Sequence, residues 1–317
     1  MKVTDHIKQA NETLFSFEIL PPLKGEHFGH LENNISRLLE YNPAFIDVTY
    51  HQQEVEYREL PDGNLEKKTV RKRPGTVGMS AAIQYKTQKD VVPHIICGGF
   101  TKEDTENALI DLHFLGIDNI LIVRGDPVSN QRYFVPEKEG HSHALGLVKQ
   151  VSDLNNGKYL DDELLNSHPT HFCIGVAGYP EKHSEAANFQ LDLKNLKDKV
   201  DAGADYIVTQ MFFDNQKYFD FVDKCRAIGI NVPIIPGLKA LATKRQLQIL
   251  PQTFHIDLPE ELVKEALKCK DNTQVRQLGV EWAIAQSKEL KAKGAPVLHY
   301  YTMGKSDNIE KIVSEVF

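Results

Sequence analysis

Three observations predict a closed (β/α)8 TIM barrel of the α/β class for this 317-residue chain. Eight short β-branched or aromatic runs recur along it, and amphipathic stretches of helical length separate most of them. No G-x-G-x-x-G follows any run, so the usual mark of an open dinucleotide-binding sheet is missing. Compact apolar runs bounded by turn residues suit strands buried on both faces of a parallel sheet.

In chain order, the runs place strands at 14–19, 44–49, 91–96, 119–123, 171–176, 206–209, 232–235 and 297–301. Helices are expected over 31–40, 102–115, 144–152, 186–201, 216–228 and 273–291. Thr101 with Asp104 three residues later is an N-terminal capping pattern. Gly116 and Gly229 sit where left-handed C-caps belong. Residues 52–73 break the alternation, crowding charges of both signs around Pro61-Asp62-Gly63, a strong turn signal. They read either as a charged β-hairpin or as a mobile loop over the barrel mouth, within one catalytic barrel spanning residues 1–317. A second irregular stretch, 127–140, is a candidate lid.

Composition narrows the function classes. With 41% apolar and 26% charged residues the chain can build a sizeable core, which argues against global disorder. A net charge of −7 opposes nucleic-acid phosphate, so no nucleic-acid partner is expected. Cys97, Cys173, Cys225 and Cys269 form no C-x-x-C pair, and His141-x-His143 has no acidic partner at ligand spacing; no metal site is expected. There is no leader-like apolar segment and no run of membrane-spanning length, so a cytoplasmic protein without membrane contact is expected. Gly304-Lys305-Ser306 resembles the end of a P-loop, but His299 stands where the motif needs glycine.

In such barrels the chemistry collects at the C-terminal ends of the strands. The first run ends in Phe17-Glu18-Ile19-Leu20-Pro21-Pro22. A carboxyl in that apolar setting is expected to hold its proton near neutral pH, or else to be neutralised in a structural pair with Arg or Lys. Asp47 and His94 lie at the ends of the next two runs, as site residues or as satisfied core groups. Arg124-Gly125-Asp126 joins a phosphate-binding cation, a glycine allowing close approach and a carboxylate. Beyond it come the small Ala177, the stacking face of Tyr179, and His183 with Lys199 as charge for phosphate. Gln210 offers an amide for a heterocycle edge. The set suits a planar, phosphate-bearing cofactor beside a heterocyclic substrate.

The ordered pieces Phe15-Ser16-Phe17-Glu18 with Pro21-Pro22, Val48-Thr49-Tyr50, Val123-Arg124-Gly125-Asp126-Pro127, Gly178-Tyr179-Pro180-Glu181-Lys182-His183 and Asp201-Ala202-Gly203-Ala204-Asp205 followed by Thr209-Gln210 resemble the methylenetetrahydrofolate reductase family. The resemblance runs from about residue 8 to the end and implies an FAD-containing barrel. It implies ping-pong hydride transfer from NADH or NADPH to 5,10-methylenetetrahydrofolate, giving 5-methyltetrahydrofolate for methionine synthesis, in a homo-oligomer. By the same resemblance Glu18 is the general acid and Asp126 the carboxylate facing flavin and folate. Thr49, Tyr50, His94, Arg124, Gly125, Asp126, His143, Ala144, Ala177, Tyr179, His183, Asp192, Asn195 and Lys199 would contact FAD. Glu18, Asp126, Gln210, Leu250, Tyr301 and Lys305 would contact the folate. His143 stands where the family has an aromatic neighbour of the flavin, and Lys305 where an arginine often meets the folate tail. Pro236-Gly237-Leu238-Lys239-Ala240 lacks the second proline of the family's pattern. The length is expected to leave no room for the S-adenosylmethionine-binding regulatory domain of eukaryotic relatives, as in the bacterial type. Two other readings are a flavin barrel similar to proline dehydrogenase and a folate-binding methyltransferase subunit without redox chemistry. A protein electron donor in place of NADH also stays open.

Overall fold

The computed structural model describes residues 1–128, 131, 133–302, 304 and 306–317. The chain opens with α1 (Val3–Gln9), β1 (Leu14–Ile19), α2 (Phe28–Leu39) and β2 (Phe45–Val48). The charged stretch follows as β3 (Glu54–Glu59) and β4 (Leu65–Val70), then α3 (Thr76–Thr87), β5 (Asp90–Ile96), α4 (Lys102–Phe114) and β6 (Asn119–Val123). Next come α5 (Ala144–Asn155), β7 (Cys173–Gly178), α6 (Phe189–Asp201), β8 (Tyr206–Thr209) and α7 (Asn215–Ala227). The last part holds β9 (Ile234–Ile235), β10 (Gly237–Leu238), α8 (Gln246–Phe254), α9 (Glu260–Lys268), α10 (Asn272–Ala292), β11 (Val297–Tyr301) and α11 (Asp307–Val316).

The strands run parallel in the order β10-β11-β1-β2-β5-β6-β7-β8-β9. Only Pro236 separates β9 from β10, so the two ends of this sheet are consecutive in the chain and the barrel closes there. One strand, expected at 232–235, is thus split: β9 pairs with β8, and β10 pairs with β11. Proline has no N–H for a ladder, and the split puts it between the two pairings. With β9 and β10 counted as one, the strand number is the expected eight.

Side chains alternate across each strand. Outward residues such as Phe15, Phe17, Ile46, Ile95 and Ile174 pack under the helices in the largest apolar cluster. Inward residues near the N-terminal ends, among them Phe45, Val92, Leu121, Tyr206 and Val297, form a separate plug, and Val3 of α1 completes it from below. Tyr206 fills the barrel axis because β7 carries Gly175 opposite it, where an added Cβ would lie 2.3 Å from the Tyr206 ring. The lower barrel is therefore apolar and filled. Polar inward residues begin one layer higher, with Ser16, Asp47 and His299, all fully buried.

The stretch at 52–73 is the hairpin of the two sequence readings, with Glu54 opposite Val70 and Glu59 opposite Leu65. Its base is tied to the loop after β1 by the Lys24 N–H to the Lys72 carbonyl and by Arg73 to the Pro21 carbonyl. The capping box at Thr101 and Asp104 forms, and Gly116 and Gly229 adopt positive φ at helix ends. Five helices lie outside the expectation: α1, α3, α8, α9 and α11. In α3, Gly78, Ala81 and Ala82 blur the apolar stripe, and α8 contains Pro251, which reads as a breaker. With α10, the α8–α9 excursion encloses a third apolar cluster that includes Met211, Leu241, Leu250 and Leu262.

Helix α10 lies directly on the backbone at residue 241, and Gly279 makes that contact possible: an added Cβ would sit 1.9 Å from the Leu241 carbonyl oxygen. Gly279→Ala is expected to lower stability by about 1–3 kcal/mol through overpacking. Gly78→Ala, at a helical glycine with nothing within 4 Å of its added Cβ, is expected to be neutral or stabilising. Urea unfolding of the two variants checks both signs.

Candidate active site

Glu18 stands next to last in β1, level with Asp47 on β2 and Tyr301 on β11. Its side chain is 15% exposed, and its Oε2 lies 3.8 Å from His94 Nε2. Burial pushes its carboxyl up to about 7; His94 pulls it back, Asp47 adds to the rise, and Lys239 opposes it. Among the described residues no Arg or Lys nitrogen comes within ion-pair distance of Glu18. Its neighbour is an imidazole, so the Arg or Lys pair of the alternative reading does not form among the described residues.

Farther round the barrel, nine residues of the expected cofactor set converge on one pocket of about 320 Å³. They are Arg124, His143, Ala144, Ala177, Tyr179, His183, Asp192, Asn195 and Lys199. Most come from the ends of β6 and β7 and from α6. Arg124 pairs with Glu185 through both terminal nitrogens, at 2.5 and 2.8 Å, and lies over the Phe134 ring. Its Nε is buried without a partner among the described residues. Lys199 donates to the Ala177 carbonyl at 2.7 Å, and burial brings its amine down to about 8 against the pull of Asp192. Asp192 accepts the backbone N–H of His183, whose ring meets Tyr179 edge-on at 4.7 Å.

The remaining expected residues are distributed differently. Thr49 directly follows β2, with its hydroxyl buried and unpartnered among the described residues. Tyr50 packs on Phe100 and, with His94, borders a separate cavity of about 530 Å³ between α3 and α4. Gly125 takes a φ of +87°, reserved for glycine, with Ile96 3.3 Å from where a Cβ would be. Asp126 is exposed at the mouth, and its carbonyl accepts the Gln52 amide at 2.7 Å. Gln210 turns its amide oxygen onto the next backbone N–H, that of Met211. Tyr301 donates to the Thr209 carbonyl at 2.7 Å and lines a pocket of about 170 Å³ with Lys239 and Arg276. Leu250 is only 2% exposed, inside the cluster under α8, a core placement. Lys305 lies outside the described residues.

Glu185, Lys239 and Gln52 were not among the sequence-level candidates. Lys239 falls at the unrestricted position of the proline pattern that Ala240 breaks, and nothing in the local sequence marks Glu185 as the partner of Arg124. The pocket is chemically two-sided. Arg124, His183 and Lys199 supply cationic or N–H groups for phosphate, while Asp192 and Asn195 supply acceptors for hydroxyls. The orphaned Thr49 hydroxyl and Arg124 Nε are further unmet hydrogen-bonding capacity at the same rim. A dinucleotide cofactor fits this donor set. Among the described residues no His, Cys, Asp and Glu are grouped to hold a metal ion, and no helix is long and apolar enough to cross a membrane.

Burial of Glu18 carries a pH signature in stability. The folded carboxyl titrates at about 7 and the ordinary one at 4.5, so the folded state holds the extra proton between them. Stability is therefore full below the lower value and falls as pH rises to the upper one. Glu18→Gln removes that slope, and its stability relative to the parent chain is expected to grow by up to ~3 kcal/mol across the window. Urea unfolding at about pH 5 and about pH 8 measures the difference; equal gaps at both would mean that Glu18 is ionised throughout.

A sequence model of the family described as methylenetetrahydrofolate reductase matches residues 2–316. The chain is 33% identical to "Methylenetetrahydrofolate reductase (NADH) 1" of Arabidopsis thaliana over 98% of its own length and 49% of that protein's. It is 32% identical to "5,10-methylenetetrahydrofolate reductase" of Salmonella typhimurium over 92% of this chain and 86% of that one. The chain thus spans about half the length of the plant relative and most of the bacterial one. A solved structure from Clostridium thermocellum, of a protein that binds two copies of 5-methyl-5,6,7,8-tetrahydrofolic acid, shares the fold with a TM-score of 0.58 at 15% identity. That likeness covers 99% of this chain and 97% of that one. With its barrel, its ordered strand-end motifs and a family match over almost every residue, the chain belongs to the methylenetetrahydrofolate reductase family.

Proposed function

We propose that this chain reduces 5,10-methylenetetrahydrofolate to 5-methyltetrahydrofolate, with NADH or NADPH as hydride donor and FAD held along the β6–β7 side of the mouth. The observation that carries the reading is Glu18: a carboxyl poised at about 7 at the end of β1, in a barrel that also carries a pocket suited to a dinucleotide at the ends of β6 and β7. FAD, when bound, supplies the hydride relay between the nicotinamide and the folate. The reading extends to a single catalytic barrel acting in the cytoplasm as a homo-oligomer, supported by the family resemblance.

The chain's own residues supply the rest. Opening the imidazolidine ring breaks a carbon–nitrogen bond, and the leaving nitrogen needs a proton that a carboxyl protonated near neutral pH delivers. Asp126, exposed at the mouth, offers negative charge to the iminium carbon formed as that bond breaks. Gln210 presents its amide to the pterin once its contact with the Met211 N–H is exchanged. Arg124, His183 and Lys199 bind the pyrophosphate. Arg124 exchanges Glu185 for it, and Arg124→Ala is expected to weaken FAD retention by one to two decades, the loss of a charge-assisted hydrogen bond of about 1.5–3 kcal/mol.

The test is the absorbance spectrum of the purified protein before and after anaerobic NADH, followed by methylenetetrahydrofolate. A flavin spectrum bleached by NADH and restored by the folate is expected; a protein that stays colourless with added FAD would leave the folate-binding, non-redox reading. Glu18→Gln separates the steps. It retains size and hydrogen bonding but delivers no proton, so bleaching by NADH is expected within a few-fold of the parent while folate reduction falls by at least ~10²-fold. Equal losses in both steps would make Glu18 a structural residue.

A further inference from the structure

Next to Glu18 the barrel encloses Asp47 and His299, ionisable groups to which the proposed reaction gives no task. Asp47 is fully buried in an otherwise apolar strand. Its Oδ2 accepts the Nε2 of His94 at 3.3 Å, while its Oδ1 has no hydrogen-bond partner among the described residues and lies 3.9 Å from His299 Nδ1. The same His94 nitrogen faces Glu18 at 3.8 Å. One imidazole, 7% exposed, therefore stands between two carboxyl groups on neighbouring strands.

We propose that Asp47 is a positioning residue that holds His94 as an imidazolium beside Glu18, so that a cation is already in place when Glu18 gives up its proton. The proposal rests on the reading of Glu18 as the acid of the folate step. The physical need is plain. A carboxyl buried deeply enough to keep its proton near neutral pH resists losing it, because the resulting anion is poorly solvated. A cation at 3.8 Å lowers that cost, but a buried histidine left alone is neutral. Burial does disfavour the charged form of His94, yet the Asp47 hydrogen bond and charge, joined by the charge of Glu18 once it ionises, oppose burial and raise its pKa.

The surrounding groups leave this task to His94. His299, on β11, shares a 2.9 Å hydrogen bond with Ser16, and burial lowers its pKa, so it is no second cation. Lys239, beyond β10, acts on Glu18 from outside ion-pair distance. Tyr206 from β8 and Tyr301 from β11 are driven well above the ordinary tyrosine range by burial and stay neutral. His51, in the loop after β2, is lowered by burial and by Arg73, against the charge of the exposed Asp126.

Asp47→Asn is the decisive variant. Without the fixed anion His94 becomes neutral, and Glu18 loses a cationic neighbour whose effect exceeds the repulsion from Asp47. The folate step is expected to slow by ~10-fold or more, and its alkaline limb to move to higher pH, while NADH bleaching of the flavin stays within a few-fold. Nitrogen NMR of histidine-labelled full-length protein gives a readout independent of turnover. At about pH 7 His94 should show an imidazolium signature in the parent chain and a neutral one in Asp47→Asn, with His94→Gln assigning the resonance. An unmoved alkaline limb, or equal losses in both steps, would overturn the proposal. If Asp47→Asn does not fold, the parent spectrum alone decides, since a neutral His94 there overturns it. A parent protein that never reduces the folate would refute the proposed function, while the His94 spectrum still tests the Asp47–His94 pair.

Discussion

A carboxylic acid donates a proton at neutral pH only where its ionised form has been made costly, and here the cost arises from withdrawing Glu18 from water at the rim of a filled barrel. Much of the architecture bears on that withdrawal. The apolar plug of Phe45, Val92, Tyr206 and their neighbours, completed from below by Val3, closes the lower barrel. Gly175 leaves room for the Tyr206 ring at the centre of that plug. Directly above it Asp47, His94 and His299 form a polar layer in which charges interact at low effective dielectric, so a displacement of one ångström has consequences it would not have in water.

The pocket at the ends of β6 and β7 follows a different principle. Its cations are already engaged: Arg124 by Glu185, and Lys199 by the Ala177 carbonyl. Such pairing holds long side chains in place before a ligand arrives, at the cost of one exchange on binding. At the end of β6 Gly125 takes a left-handed conformation, between Arg124 in the pocket and the exposed Asp126. Proton delivery from the end of β1 and phosphate binding at the ends of β6 and β7 thus both sit at the C-terminal strand ends of one sheet, as the geometry of parallel barrels favours.

The barrel was legible in the sequence because parallel strands buried on both faces are written as compact apolar runs, and a polar residue interrupting such a run at its end stands out. Glu18 and Arg124-Gly125-Asp126 were found that way. The pairing of Asp47 with His94 was not, because it depends on the register between β2 and β5, which no local pattern encodes. Leu250 shows the opposite limit. Resemblance assigns it to the substrate, and the fold puts it in an apolar cluster with Met211, Leu241 and Leu262, a packing that no local pattern encodes. Among the helices missed by periodicity, α3 has small residues around its circumference and takes its orientation from packing.

The central claim is that Glu18 holds its proton near neutral pH because the barrel rim buries it. Difference infrared spectroscopy of the parent protein against Glu18→Gln tests this directly, through the carbonyl band of a protonated carboxylic acid. The account predicts that this band is present in acid and disappears as pH rises through about 7. A difference spectrum with no such band at about pH 6, or with one that titrates near the ordinary glutamate value of 4.5, would contradict it.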